Sequence, residues 1–167
     1  MTRGAMTPLL LRRILLSFLA VTPILGAQTA EPDPWTVSRT GEAGDEETRL
    51  LTQETTTPVK VGGRTLTPRL CVRQRVASYE VFVNFETYLG HEDPTLTLHF
   101  DREPPEKVRW ARAGNGRMAI APESESLVYR LLRHDELSVE FVPPGESAIV
   151  IQFDLRELAS ALHRSAD

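Results

Sequence analysis

Cysteine is nearly absent from this sequence of 167 residues. Cys71 is the only one, so the chain cannot form an internal disulfide. Two interpretations of this thiol stay open. It is either reactive, because the flanking Arg69 and Arg73 would lower its pKa if they were close, or it is a small apolar residue of a strand, as free cysteines commonly are. We adopt the second interpretation.

Long apolar runs are also scarce, and only residues 14–27, ILLSFLAVTPILGA, form one. Arg3, Arg12 and Arg13 precede this run, and small residues follow it, which is the pattern of an export signal. The run is short for a membrane span of about 20 residues, and Pro23 interrupts it. An uncleaved anchor is the alternative. We predict a signal peptide at 1–27, with Ala30 as a second cleavage position, a periplasmic protein, and no stable membrane span after cleavage.

The chain has fewer basic than acidic side chains. The full chain carries 19 Lys and Arg against 23 Asp and Glu, for a net charge of −4. Loss of residues 1–27 removes three arginines and no acid, which leaves 16 basic and 23 acidic side chains, net −7. Such a surface repels nucleic acid and anionic lipid, and basic runs interleaved with aromatics are missing. We predict no nucleic-acid partner.

Alternation of apolar and polar residues dominates the rest of the chain. Residues 79–85, YEVFVNF, and 95–101, TLTLHFD, each direct apolar side chains to one face, which predicts half-buried strands. Gly62-Gly63 predicts a hairpin turn, and the nearly continuous apolar run 147–153 predicts a central strand. Further strand candidates lie at 35–39, 48–56, 66–74, 107–111, 117–121 and 137–142.

Two amphipathic helices are predicted. The first starts at Pro122 and ends near His134, and its apolar stripe comprises Leu127, Val128, Leu131 and Leu132. The second begins with Asp154 as a cap and Glu157 three residues later, which resembles a capping box. Its apolar face consists of Leu155, Leu158 and Leu162.

These elements predict a mostly β protein with two short helices (α+β). We expect an antiparallel β-sandwich-like single domain closed by a C-terminal amphipathic helix. The domain is predicted at 35–164, after a polar, Pro-rich linker at 28–34.

Motifs for catalysis or cofactor binding are weak. The chain has no G-x-S-x-G elbow and no glycine-rich phosphate loop. His91, Glu92 and Asp93, together with His99 and Asp101, form the best candidate metal ligands, but two turn acids and a strand histidine co-occur commonly by chance. We therefore predict no enzyme activity, no metal and no cofactor, with an envelope hydrolase using Cys71 as an alternative.

Aromatic residues make up only 7% of the chain. Trp35, Tyr79, Phe85, Tyr88 and Trp110 could form a face that stacks on sugars. The alternation at Tyr79 and Phe85 favours a core role instead. A glycan- or peptidoglycan-binding module is the remaining alternative.

The order of motifs resembles the VasI/TagO-type proteins associated with type VI secretion systems, from about residue 35 to residue 162. The similarity lies in Trp35, Trp110 and the segments DEET (45–48), LTPRLCVR (66–73), YEVFVNFETYL (79–89), HFD (99–101), LSVEFVPP (137–144) and FDLRELASAL (153–162). His99 stands where the family commonly has Arg, and Glu157 where it has Gly. Gln74 replaces a frequent Cys, so the disulfide possible in family members is missing here.

The resemblance implies a periplasmic accessory protein without established chemistry. We therefore predict a divergent member that binds an envelope or secretion-apparatus protein by docking a strand edge or a loop face. The predicted contact regions are the acidic loop 41–47 and a polar face comprising Arg73, His99, Asp101 and Trp110.

Overall fold

The computed structural model describes residues 33–40 and 48–164, all of which lie in one compact unit. The predicted signal peptide, most of the predicted linker and the acidic loop 41–47 lie outside the described residues. The described part is mostly β, with two helices and antiparallel sheets. The predicted fold class is therefore confirmed.

The described strands are β1 (Thr36–Thr40), β2 (Thr48–Glu54), β3 (Val59–Val61), β4 (Arg64–Leu66), β5 (Arg69–Arg75), β6 (Ser78–Asn84), β7 (Thr95–Phe100), β8 (Glu106–Arg109), β9 (Ala111–Ala113), β10 (Met118–Ile120), β11 (Glu136–Phe141) and β12 (Ile149–Asp154). The described helices are α1 (Ser124–Leu131) and α2 (Leu158–His163).

These strands form three antiparallel sheets. One has six strands in the order β1-β2-β5-β6-β10-β9, one has four in the order β12-β11-β7-β8, and β3 pairs with β4. The β3–β4 turn confirms the predicted hairpin, because Gly62 and Gly63 adopt φ angles of 55° and 74°, which glycine reaches without steric cost.

The two larger sheets bury their apolar faces in one core. Val81 and Val83 of the six-stranded sheet are completely buried, as are Leu137 and Val139 of the four-stranded sheet. The ring centroids of Phe85, the first residue after β6, and Phe141, the last residue of β11, lie 5.2 Å apart. Side chains of the two sheets therefore contact each other directly. This arrangement is sandwich-like.

The position of β12 differs from the prediction. It lies at the edge of the four-stranded sheet, and Val150 is 52% exposed, so it is not a central strand. Its outer side is covered in part, because the backbone N–H of Thr56 and the hydroxyl of Thr55 donate to the Gln152 carbonyl at 2.9 and 3.1 Å. Apolar composition alone does not report which strands flank a given strand.

Helix α1 begins at Ser124 and buries Val128 and Leu131. The Ser124 hydroxyl accepts from the backbone N–H of Val81 at 2.9 Å and donates to the Ala121 carbonyl at 2.9 Å, which joins the helix to β6. Leu132, the C-cap residue of the helix, is 36% exposed and lies outside the buried stripe.

The capping box predicted for α2 is wrong. Glu157 precedes the helix without a side-chain capping bond, and Asp154 is the last residue of β12. The Asp154 carboxylate instead accepts from the backbone N–H of Arg156 at 3.0 Å and from its guanidinium. The predicted burial is confirmed, since Leu155, Leu158 and Leu162 are 2%, 0% and 8% exposed.

Arg49 of β2 caps the other end of α2. Its guanidinium donates to the carbonyls of Leu162 at 2.8 Å and Ala161 at 3.3 Å, and to the carbonyl of Arg164. The last carbonyls of a helix lack partners within the helix, and a cation there also complements the helix dipole. Arg49 therefore fixes the C-terminal segment against the sheet.

Candidate functional site

The predicted polar face is divided between two sheets. Arg73 lies on β5 of the six-stranded sheet, where its guanidinium pairs with Glu80 and sits 5.1 Å from the Phe82 ring centroid. His99 lies on β7 of the four-stranded sheet. Trp110 is only 2% exposed and belongs to the core. These residues do not form one continuous surface.

Asp101 organises a turn. Its φ angle is 43°, and its carboxylate accepts from the backbone N–H groups of Glu136 at 2.8 Å and Asp135 at 3.1 Å. The Asp101 N–H donates to the Glu136 carbonyl at 3.2 Å. This carboxylate therefore joins the end of β7 to the start of β11.

Cys71 is buried, with 5% exposure, and its sulfur lies 3.8 Å from the Thr52 hydroxyl. Burial raises the pKa of the thiol, and the opposing influences of Thr52, Arg69 and Arg73 are smaller. A thiolate is the nucleophilic form, so this environment favours the interpretation of Cys71 as a packing residue.

No group of three His, Cys, Asp or Glu residues within 33–40 and 48–164 is placed to hold a metal ion. His91, the centre of the candidate set, directs Nδ1 to the Tyr88 hydroxyl at 2.9 Å. Asp93 accepts from the Arg112 backbone N–H at 2.9 Å. These side chains are engaged in loop contacts.

A groove of about 320 Å³ lies between β8 and α1. Its floor is apolar, and its rim carries Glu106 and Arg109 from β8 with Glu123, Ser126 and Arg130 from the α1 side. The floor consists of Leu98, Val108, Trp110, Ala121 and Leu127. A pocket of this volume with an apolar floor and a few polar groups is typical of ligand-binding sites. We call this site the β8–α1 groove.

The groove borders a free strand edge. Within the described residues, β8 pairs only with β7. The backbone N–H of Trp110 donates to the Pro94 carbonyl at 3.0 Å, and Leu96 lies opposite Val108 two residues further along. Hydrogen-bonded and non-hydrogen-bonded pairs alternate in an antiparallel ladder. Lys107 and Arg109 therefore direct their backbone N–H and C=O groups away from β7.

Arg130 of α1 lies on the rim of the β8–α1 groove. Its guanidinium donates to Glu106 at 2.6 Å and Glu103 at 2.8 Å, and lies 4.1 Å from the Phe100 ring centroid. His134 Nδ1 lies 2.8 Å from the Arg130 carbonyl, and Nε2 lies 3.0 Å from Glu103. These contacts fix the spacing between β8 and α1.

The charged forms of these groups stabilise one another. The hydrogen bond from Arg130, followed by that from His134, lowers the pKa of Glu103. The hydrogen bond to the Arg130 carbonyl raises the pKa of His134, with Glu103 adding to it. Both ring nitrogens of His134 face acceptors, so the protonated imidazole, with two N–H donors, fits this position.

The β8–α1 groove is not predicted from the sequence. Its floor and rim come from segments up to about 30 residues apart in the chain, and the alternation of β8 is confined to four residues. The available signals were the amphipathic pattern of α1 and the edge-strand composition of residues 104–107, with two prolines and a lysine.

Comparison with known proteins gives no relatives: no protein-family model, no curated protein and no solved structure matches this chain. No helix among the described residues combines the length and apolar character needed to cross a membrane.

Proposed function

We propose that the protein is an exported, non-catalytic accessory protein of the periplasm. It binds an extended segment of an envelope or secretion-apparatus protein in the β8–α1 groove. The observation that carries this proposal is the free edge of β8 beside an apolar floor, because main-chain pairing and side-chain pockets are the two requirements for binding a peptide by strand addition.

Main-chain pairing is available at Lys107 and Arg109, whose backbone groups face the open side of β8. A bound segment in strand conformation alternates its side chains, so every second one enters the groove. Val108 and Leu127 offer apolar contact there. The strand has only four residues and follows Pro104 and Pro105, which limits non-specific edge pairing and favours a short, matching segment.

Export and the association with a type VI secretion system rest on the sequence. The leader pattern at 1–27 supports the periplasmic location. The motif order from Trp35 to Leu162 supports a divergent member of the VasI/TagO-type family, with His99, Glu157 and Gln74 as departures. The two alternatives have less support, because Trp35 and Trp110 are buried and Cys71 is inaccessible.

The test uses Lys107→Pro with Lys107→Thr as its matched control. Proline removes the N–H that faces the open edge, and edge strands tolerate proline because the β7 ladder does not use that donor. Threonine removes the same charge and keeps the N–H. Circular dichroism and thermal unfolding verify that both variants fold.

The purified variants are used to capture proteins from envelope extract, with quantification of each captured protein against the unmodified chain. We expect Lys107→Pro to lose one partner by about tenfold or more, since a missing hydrogen bond and its unsatisfied counterpart cost on the order of 1.4 kcal/mol or more. Lys107→Thr should retain that partner. Equal capture by the proline variant, or equal loss by both variants, would contradict the proposal.

A further inference from the structure

A second cavity of about 400 Å³ lies where β2, β5 and the end of α2 meet, and it shares no residue with the β8–α1 groove. Its described lining includes four arginines, one histidine and no acid: Arg39, Arg49, Arg75, Arg164 and His163, with Gln74 and Val76. The whole chain has a net negative charge, so this concentration of arginines is local. We propose that this basic cavity binds a phosphate group, either free or carried by a phosphorylated envelope component.

Arg49 supplies a fixed positive charge with neutral acceptors. Its described hydrogen-bond partners are the Gln74 amide oxygen at 3.0 Å and backbone carbonyls at the end of α2. Its Nε is buried and has no hydrogen-bond partner among the described atoms. Backbone carbonyls offset part of this charge but do not cancel it, so an anion in the cavity is attracted to it.

The sheet register adds to the positive potential. Arg39 of β1 lies directly opposite Arg49 of β2, and like charges at opposed positions destabilise an antiparallel pair. Arg39 also has interactions of its own, so this repulsion is a secondary reason. An anion bound beside the pair would reduce it.

Arg75 and His163 are the available ligands. Both are exposed, and neither side chain forms a hydrogen bond or an ion pair with another residue in the described part of the chain. Arg164, the residue after His163, is held in place by its ion pair with Asp33 and its hydrogen bond to the Trp35 carbonyl at 3.2 Å. Immobilising one ligand lowers the entropy cost of binding.

The spatial arrangement favours phosphate over carboxylate. Donors come from the end of β5, from the end of α2 and from the residue that follows α2. A carboxylate is planar and has two oxygens, whereas a phosphate group presents acceptor oxygens in several directions and carries a larger charge. Arginines are the side chains best suited to this recognition.

The experiment titrates the purified protein with inorganic phosphate by calorimetry at constant ionic strength, with acetate as the planar anion. The double variant Arg75→Gln/His163→Gln removes the two unpaired ligands, and Arg133→Gln, an exposed arginine outside both cavities, is the matched control. We expect saturable binding of phosphate, a loss of about tenfold or more in the double variant, and no change in the control. Absence of saturable phosphate binding, or equal affinity in the double variant, would overturn the proposal.

Vesicles separate the two sources of the phosphate group. One set contains phosphatidic acid, which presents a phosphate monoester, and the other contains only phosphatidylcholine. Binding of inorganic phosphate without binding to phosphatidic acid vesicles identifies free phosphate, and binding of both identifies a membrane-borne phosphate as an accessible ligand. If the protein binds neither inorganic phosphate nor phosphatidic acid vesicles, the inference is contradicted, and the proposal for the β8–α1 groove is unaffected.

Discussion

Replacement of Leu158 by alanine should destabilise the domain strongly, because α2 closes the core. Leu158 is completely buried, and its neighbours along the segment, Leu155 and Leu162, are nearly so. Alanine lacks about three carbons of the leucine side chain, and about 0.8 kcal/mol per carbon predicts roughly 2.4 kcal/mol from transfer alone. The cavity left behind raises this to about 3 kcal/mol, within the range of about 2–5 kcal/mol for such substitutions.

The two tryptophans provide the assay. Trp35 and Trp110 are 3% and 2% exposed, so urea unfolding transfers both indoles to water and shifts their fluorescence. Leu132→Ala is the control, since that side chain is 36% exposed and should cost less than about 1 kcal/mol. Leu158→Met, which conserves most of the volume, should cost less than about 1.5 kcal/mol.

The relative loss of stability in the three variants tests whether α2 closes the core. A closed core requires Leu158→Ala to be the most damaging, with Leu158→Met and Leu132→Ala both mild. If Leu158→Ala costs no more than Leu132→Ala, the terminal helix does not close the core of the domain, and this reasoning is refuted.

Two further predictions concern charged contacts. Arg49→Met should lower the free energy of urea unfolding by about 1.5–3 kcal/mol, because carbonyls at the end of α2 lose a charged donor. Arg49→Lys should recover only part of that stability, since lysine lacks the planar set of N–H donors of the guanidinium group. If Arg49→Met is as stable as the unmodified chain, the capping role is contradicted. The raised pKa of His134 means that its contribution to stability is complete below its ordinary pKa of about 6.5 and is lost as pH rises through the folded-state value. Denaturation between pH 5.5 and 8.5 should show this loss in the unmodified chain and not in His134→Gln; parallel curves would contradict it.

Side-chain alternation was enough to predict the strands that form the core. In β7 and β11 every second residue is buried, so a period of two reports both the element and its inner face. The structure keeps this period at Trp110, which is buried between the exposed Arg109 and Ala111. The prediction that placed Trp110 on the polar face did not use it, because small, apolar Ala111 fits either face and the local sequence alone does not identify the buried one.

Contacts between distant segments could not be predicted. Arg49 reaches carbonyls more than 110 residues away in the chain, and nothing in the sequence around either partner reports that contact. Asp154 fails as a cap for a local reason, because Arg156 competes for its carboxylate before the helix begins. The edge position of β12 depends on which strands pair, and apolar composition does not predict strand pairing.

The groove, likewise, is a product of tertiary packing. Glu103 and Glu106 contact Arg130 across 27 and 24 residues, and the free edge of β8 follows from the sheet order. The edge-strand residues Pro104, Pro105 and Lys107 were visible in the sequence. These residues alone do not predict a binding site, because the apolar floor beside that edge depends on the packing of the neighbouring helix.

Hydrogen exchange at the backbone amides of Lys107 and Arg109 tests the central proposal most directly. Both N–H groups face away from β7, so they should exchange quickly in the free protein, whereas the amide of Val108 should be protected by the β7 ladder. Addition of the captured partner should protect Lys107 and Arg109 and leave Val108 unchanged. Fast exchange at both amides in the presence of saturating partner would show that the partner does not pair with this edge.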